Sequence, residues 1–192
     1  MDERRSALRH HADALDLFGS RVHQVRRDQW GAPTPCTEWN VRDLVNHLVS
    51  EQLWVPPLVS EQRTIADVGD TFDGDVLGED PVAAWDVAAE GARAAFKARG
   101  AMDRTVQLSY GRTHTAAYCA QMITDAVVHA WDLSRAIGAD EQLPDALVDF
   151  AAREVAPYAA GLSKSGLFAE PVTPPPGADV QTKLLALLGR RA

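Results

Sequence analysis

Apolar residues recur at intervals of three and four in four long stretches of the chain, which predicts four amphipathic helices. The first runs from about Arg4 to Gln29, with Leu8, His11, Leu15, Phe18, Val22 and Val25 on one stripe. Gly31, Pro33 and Pro35 stop it and force an extended connection. The second opens with a nearly complete helix-start signal. Asn40 is an N-cap, Asp43 closes a capping box, and Trp39 is placed to staple onto Leu44. Leu44, His47, Leu48, Glu51 and Trp54 or Val55 then follow helical spacing, until Pro56 and Pro57 predict a kink or an early end. Asp80 and Pro81 start the third helix, whose stripe of Val82, Trp85, Val87, Ala88, Ala92, Ala95 and Phe96 ends by Gly100. The fourth is capped by Thr113 or Thr115 and runs to Gly138, a residue suited to a left-handed C-terminal position.

The intervening segments are less regular. Ser60–Asp80 is acidic, carries three glycines and reads as a loop with at most short structure, long enough to cover a site. Thr105–Tyr110 alternates weakly, as one short strand or an extended loop would. A helix from about Pro144 to Tyr158 has Leu147, Phe150, Ala151 and Val155 as its buried side; Pro171–Gly177 is extended, and Val180–Leu188 forms a last short helix. The expected fold is therefore all-α, a four-helix bundle with short C-terminal helices. Residues 1–140 are expected to form the bundle, and 141–192 a C-terminal helical extension packed on the same domain.

Composition narrows the function classes. With 192 residues and 46% hydrophobic content the chain can build a sizeable core. A net charge of −8, with no basic stripe, argues against nucleic acid and anionic membranes as partners. No apolar run approaches the roughly 20 residues that span a bilayer, and the charged N-terminus MDERRSALRHH does not read as a signal peptide. The two cysteines, Cys36 and Cys119, form no CxxC pair or disulfide framework, which fits a reducing compartment. The expectation is a cytoplasmic protein, monomer or homodimer, acting on small molecules.

The candidate chemistry lies on the fourth helix. In MITDAVVHAWDLSRA, residues 122–136, Asp125 and His129 stand one turn apart on a helix otherwise almost wholly apolar. Burying a carboxylate and an imidazole there is unfavourable unless something inside the protein satisfies them. Two readings compete: an intrahelical Asp–His ion pair, or two ligands of a metal ion. His47, on the stripe of Leu44, Leu48 and Glu51, offers a third ligand, and a His/His/carboxylate set leaves coordination positions open for water or substrate. Asp132 is placed to orient a ligand from behind. Cys36, just before a helix N-terminus, is read as a small buried side chain rather than a nucleophile. His10, His11 and His23 read as structural or solvated, and His114 lies too far along the helix to join His129. No phosphate-binding glycine loop, GxSxG elbow or dinucleotide fingerprint is present.

Two segments carry a family resemblance. PTPCTEWNVRDLVNHL, residues 33–48, resembles the opening motif of the mycothiol-dependent maleylpyruvate isomerase metal-binding domain, and DAVVHAWDL, residues 125–133, resembles its second motif. The ending, Gly166-Leu167-Phe168 through Leu184–Arg190, is similar to a subgroup of small proteins in that family. The resemblance implies a DinB-like four-helix bundle with an up-down-down-up order and a metal between helices, with His47, Asp125 and His129 on the ligand positions. It implies a divalent metal, zinc first with nickel or iron as alternatives, and mycothiol as co-substrate. The family's characterised isomerase has glutamate where this chain has Asp125. The implied function is a metal-dependent thiol transferase or isomerase that activates a small thiol for addition to a small electrophile. The alternative is a non-catalytic module with a structural or remnant metal site.

Overall fold

The computed structural model describes residues 2–158 and 169–192. Its helices are α1 (Asp2–Val22), α2 (Val41–Val55), the single turn α3 (Ile65–Val68), α4 (Pro81–Lys97), α5 (Thr115–Ile137), α6 (Asp145–Val155) and α7 (Val180–Leu187). A short antiparallel hairpin, β1 (Thr105–Leu108) and β2 (Gly111–His114), pairs Thr105 with His114 and Leu108 with Gly111. The Gly166-Leu167-Phe168 part of the C-terminal motif lies outside the described residues.

Contacts along the helices fix their directions. Arg21 near the end of α1 donates to Ser134 near the end of α5, while His11, midway along α1, and Tyr118, near the start of α5, both pack on Phe96. These two helices are therefore parallel. Arg93 of α4 reaches Asp16 and Asp86 reaches His23, so α4 runs against α1. On α2, His47 faces Asp125 and His129, and Glu51, a turn later, faces Asp125 and Tyr118, so α2 runs against α5. Up, down, down, up follows in chain order. α1 packs chiefly on α5 and α2 on α4, with α1–α4 and α2–α5 contacts closing the ring. Helices joined by a single long connection, α1 with α2 and α4 with α5, thus stand diagonally opposed.

The core fills the ring. Leu15, Phe18, Leu44, Leu48, Trp85, Phe96, Ile123, Trp131 and Leu133 are fully buried, and each falls on the inward stripe of its helix. Phe18 and Trp85 pack ring to ring at 4.7 Å where α1 and α4 cross. Outside the ring, α6 lays Leu147, Val148, Ala151 and Val155 on α1 and α5, and α7 packs on α6 through Leu184 and Leu185. Phe150, expected inside, is half-buried against His10 instead, because the inward face is centred on Val148. Val87, expected on the stripe of α4, is 72% exposed because that helix turns Trp85, Ala88 and Ala92 inward. No helix among the described residues is long and apolar enough to cross a membrane.

Local signals explain most element ends. The Asn40–Asp43 capping box forms, each side chain accepting the other's backbone N–H at 3.0 Å. Asp80 accepts from the Ala83 amide with Pro81 in the first turn, and Gly138 closes α5 at φ 70°. Two boundaries differ from expectation, and a third falls where the prolines place it. α1 stops at Val22 rather than Gln29: beyond it the Gln24, Val25 and Gln29 amides donate three residues back, to the Arg21, Val22 and Arg26 carbonyls, and the Gln29 side chain anchors the resulting turns to the Ile137 carbonyl. α2 ends at Val55, where the two prolines predict a kink or an end, and passes into a π-helical turn over Pro56–Ser60, since neither proline can donate to the preceding turn. α5 has His114, not a threonine, at its N-cap, with no side-chain cap; the Thr115 amide instead donates to the Arg104 carbonyl of the hairpin that leads into it.

The segment between α2 and α4 is held against α2. Asn46 grips it twice, donating to the Gly74 carbonyl and accepting from the Val76 amide, both at 2.8 Å. Ser50 donates to the Phe72 carbonyl, and Arg42 donates to Asp75 and to the Gly78 carbonyl. These bonds bring Phe72, Asp73 and Gly74 to the mouth of the seam between α2 and α5.

Candidate metal centre

His47 on α2 and Asp125 and His129 on α5 meet in that seam, each offering a ligand atom within 4.8 Å of the others. The His47 Nε2 lies 3.5 Å from Asp125 Oδ2, and the His129 Nε2 lies 3.4 Å from Asp125 Oδ1. Both separations exceed the 2.7–3.2 Å of good hydrogen bonds. They match the edge of a tetrahedron whose ligands stand about 2.0–2.1 Å from its centre, which is about 3.3–3.4 Å. Asp125 Oδ2 is buried and has no hydrogen-bond partner. A buried carboxylate oxygen left in that state is unfavourable unless a cation completes it. The spacing and the orphaned oxygen fit a divalent metal held by these three residues.

Electrostatics within the seam are mutually reinforcing. Burial alone would raise the Asp125 carboxyl, but the adjacent His129 and His47 imidazoles outweigh it and hold it well below the usual carboxylate range. Burial would likewise keep His129 neutral, yet Asp125, with help from Asp132 and Cys36, lifts it well above its ordinary value. Glu51, one turn beyond His47, is pushed up by burial and then by the Asp125 charge. The Asp125 carboxylate thus favours positive charge beside it, which a metal cation would supply.

The other side of His129 is equally ordered. Its Nδ1 donates to Asp132 Oδ2 at 2.9 Å, which leaves Nε2 as the nitrogen facing Asp125. Asp132 is 0% exposed, and its carboxyl is pulled down to about 2: burial opposes this, but hydrogen bonds from His129 and Arg190 prevail. Arg190 clasps it from the C-terminal tail, Nη2 to Oδ2 at 2.8 Å and Nε to Oδ1 at 3.2 Å. Cys36 completes the group, with Sγ 3.4 Å from Asp132 Oδ2, 3.8 Å from His129 Nδ1 and 3.6 Å from Arg190 Nη2. Trp39 roofs the seam, its ring 4.8 Å from that of His47 and 5.9 Å from that of His129.

The residues singled out from spacing, His47, Asp125, His129 and Asp132, are thus brought together, and His10, His11, His23 and His114 are not. His11 is buried against Phe96, and His23 pairs with Asp86 on the surface. Arg190 was not anticipated, since a basic residue in the last three positions carries no local signal of a buried partner on α5. Cys36, read as a passive small side chain, instead touches three members of the network. Trp39, read as a staple for Leu44, lies against both imidazoles. An open cleft of about 520 Å³ reaches the seam at His47, lined by Glu38, Trp39, Asp43, Asn46, Ser50, Phe72, Asp73 and Gly74.

An up-down-down-up bundle with a His/Asp/His cluster between its second and last long helices defines a recognisable class, the DinB-like bundles. The model of the mycothiol maleylpyruvate isomerase N-terminal domain matches residues 11–134. This chain belongs to that family. It is 35% identical over 189 residues to an uncharacterised protein found in two strains of Mycobacterium tuberculosis, covering 94% of this chain and 95% of theirs. Its fold resembles the crystal structure of a histidine-to-alanine mutant of the mycothiol-dependent maleylpyruvate isomerase, with a TM-score of 0.62. That likeness covers 79% of this chain and 69% of the isomerase at 11% identity, so it concerns the fold alone.

Proposed function

We propose that this protein is a metal-dependent enzyme that joins a low-molecular-weight thiol, mycothiol, to a small electrophile, as a transferase or an isomerase. The observation that carries the reading is the Asp125 carboxylate, whose buried Oδ2 has no hydrogen-bond partner and lies 3.5 Å from His47 Nε2 while its Oδ1 lies 3.4 Å from His129 Nε2. His47, Asp125 and His129 hold the metal, and Asp132 fixes the ring of His129 from behind. Zinc is the first candidate, with nickel or iron also accepted by such donors. A metal bound there supplies a lowered thiol pKa at neutral pH. Three protein ligands leave room for an exogenous one.

The chain's own residues define how a substrate approaches. His47 and Asp125 are each about a quarter exposed, whereas His129 is almost closed off, so access is from the His47 side. Trp39 and Phe72 wall the cleft, and Asn46 and Ser50 are already engaged in holding the loop. The charged residues lining the cleft are Glu38, Asp43 and Asp73, with neither lysine nor arginine among the described lining residues. Such a mouth repels a dicarboxylate and suits an uncharged electrophile. We therefore do not carry maleylpyruvate over as the substrate. The extension over residues 141–192 is read as part of the same unit, because its tail supplies Arg190 to the centre.

The decisive experiment is metal analysis of the purified protein and its His47→Ala variant, followed by assay with mycothiol and uncharged electrophiles. Stoichiometric metal in the wild type, lost in the variant, together with thiol-dependent turnover supports the reading. Equal metal content in both overturns the site. Metal present without turnover favours the non-catalytic module.

A further inference from the structure

The C-terminal turn after α7 is built to deliver one side chain. Leu184, Leu185 and Leu188 are buried and fix the end of the helix. Gly189 then adopts φ 81°, and the Arg190 amide donates back to the Leu185 carbonyl at 2.8 Å, so the chain reverses within one residue. A Cβ at Gly189 would lie 2.6 Å from the Ala169 Cβ, so both the conformation and the space require glycine. The reversal points Arg190 at α5, where its Nη1 also donates to the Leu188 carbonyl. Arg135 of α5 donates in turn to the Arg191 carbonyl, tying down the residue beyond.

What the turn delivers is a side-on, two-bonded guanidinium against a fully buried carboxylate. Asp132 without Arg190 would be a buried anion with only His129 and a thiol for company, free to turn its Oδ2 away from the ring. With Arg190 in place both oxygens are fixed, and Oδ2 sits where His129 Nδ1 donates to it. We propose that Arg190 is a positioning residue for the metal centre: it acts through Asp132 to hold the His129 ring with Nε2 facing Asp125 and His47. This rests on the reading of those three residues as metal ligands, but the Arg190–Asp132–His129 coupling is testable without metal.

Two measurements on the full-length protein separate the two ideas. In metal-free protein, the His129 Nδ1 proton is followed by NMR. A slowly exchanging resonance is expected in the wild type, lost in Arg190→Gln and in Asp132→Asn, and unchanged in Arg4→Gln, which removes the exposed pair with Asp103. Zinc affinity is then measured by chelator competition, and cobalt is substituted to read the ligand field. Arg190→Gln is expected to lose 10- to 100-fold in affinity, the range for partners that orient a ligand from behind. The Arg190→Gln/Asp132→Asn double variant should lose no more than the larger single effect, because both act through one contact. Should Arg190→Gln not fold, Arg190→Lys keeps the charge without the two-bonded geometry and is expected to give an intermediate loss and a broadened cobalt spectrum. A Nδ1 proton and zinc affinity indifferent to Arg190, or additive losses in the double variant, overturn the proposal. Wild-type protein that takes up no zinc or cobalt overturns the metal reading instead, and the NMR comparison still decides whether Arg190 positions His129.

Discussion

His129 and Asp132 stand three residues apart on α5, with Nδ1 2.9 Å from Oδ2 and the opposite ring nitrogen turned toward Asp125 at 3.4 Å. One contact therefore sets which nitrogen is available for a metal. The helix supplies the spacing; α2, the 31–40 connection and the C-terminal tail supply everything that meets the ring from outside.

The ligand assignment makes graded demands. His47→Ala and Asp125→Asn should each weaken zinc binding by more than the ~100-fold expected for outer partners. Asp125→Glu should keep a metal, because the seam is open on that side and a longer carboxylate still reaches it. Metal content by mass spectrometry and chelator competition check all three. Zinc bound as tightly by Asp125→Asn as by the wild type would place the metal elsewhere.

Chelation should lower the melting temperature of the wild type and leave that of His47→Ala nearly unchanged, since a ligand of the folded state stabilises it by mass action. Scanning calorimetry with and without chelator reads the difference.

The cleft predicts charge selectivity. Like charges at a few ångströms near a surface repel by about 1–4 kcal/mol, enough for a tenfold preference or more. An uncharged electrophile should therefore show at least about tenfold higher kcat/KM than a dicarboxylate of similar size. Glu38→Lys/Asp73→Lys should narrow that gap at low salt and much less at high salt. Better turnover of the dicarboxylate by the wild type would be the contrary result.

His11 gives a pH dependence away from the metal. It is 2% exposed, and burial, aided by Arg93, pushes its pKa down to about 4 from 6.5. Above pH 6.5 it is neutral folded or unfolded and contributes nothing. As the pH falls from 6.5 to about 4 the unfolded chain takes up a proton that the folded one refuses, so stability drops by about 3 kcal/mol in total. Urea unfolding of metal-free wild type and His11→Leu at several pH values should show that loss only in the wild type. Parallel pH profiles would refute it.

Two glycines should respond oppositely to alanine. A Cβ at Gly19 would lie 2.7 Å from the Nε1 of buried Trp85, an overpacking worth about 1–3 kcal/mol that exceeds the helix-propensity gain of about 1 kcal/mol at the upper end. At Gly91 the nearest atom would be 3.5 Å away, an ordinary contact, so the propensity gain stands. Thermal melts should place Gly19→Ala below the wild type by a few degrees, and Gly91→Ala above it.

Much was legible from spacing alone. The four bundle helices, the Asn40–Asp43 box, the Asp80–Pro81 start and the Gly138 stop are local features, determined by backbone bonds within a few residues. The i,i+4 relation of Asp125 and His129, and the place of His47 on an inward stripe, are equally local. The hairpin is half legible: Thr105–Tyr110 reads as one short strand or an extended loop, but the partner Gly111–His114 shows no apolar alternation because it is largely exposed.

What the tertiary structure alone decided is long-range. Gln29, in the turns that follow α1, bonds to the Ile137 carbonyl more than a hundred residues away, an interaction no periodicity encodes. Trp39 lies on two imidazoles rather than simply stapling its own helix, because α5 packs beside α2. Arg190 reaches Asp132 across 58 residues. The sequence by itself determined which residues share a helix face, since helical geometry follows from neighbours. Which faces meet, and so how His129 is held, depended on the packing of whole helices and on a terminal turn whose partner lies elsewhere in the chain.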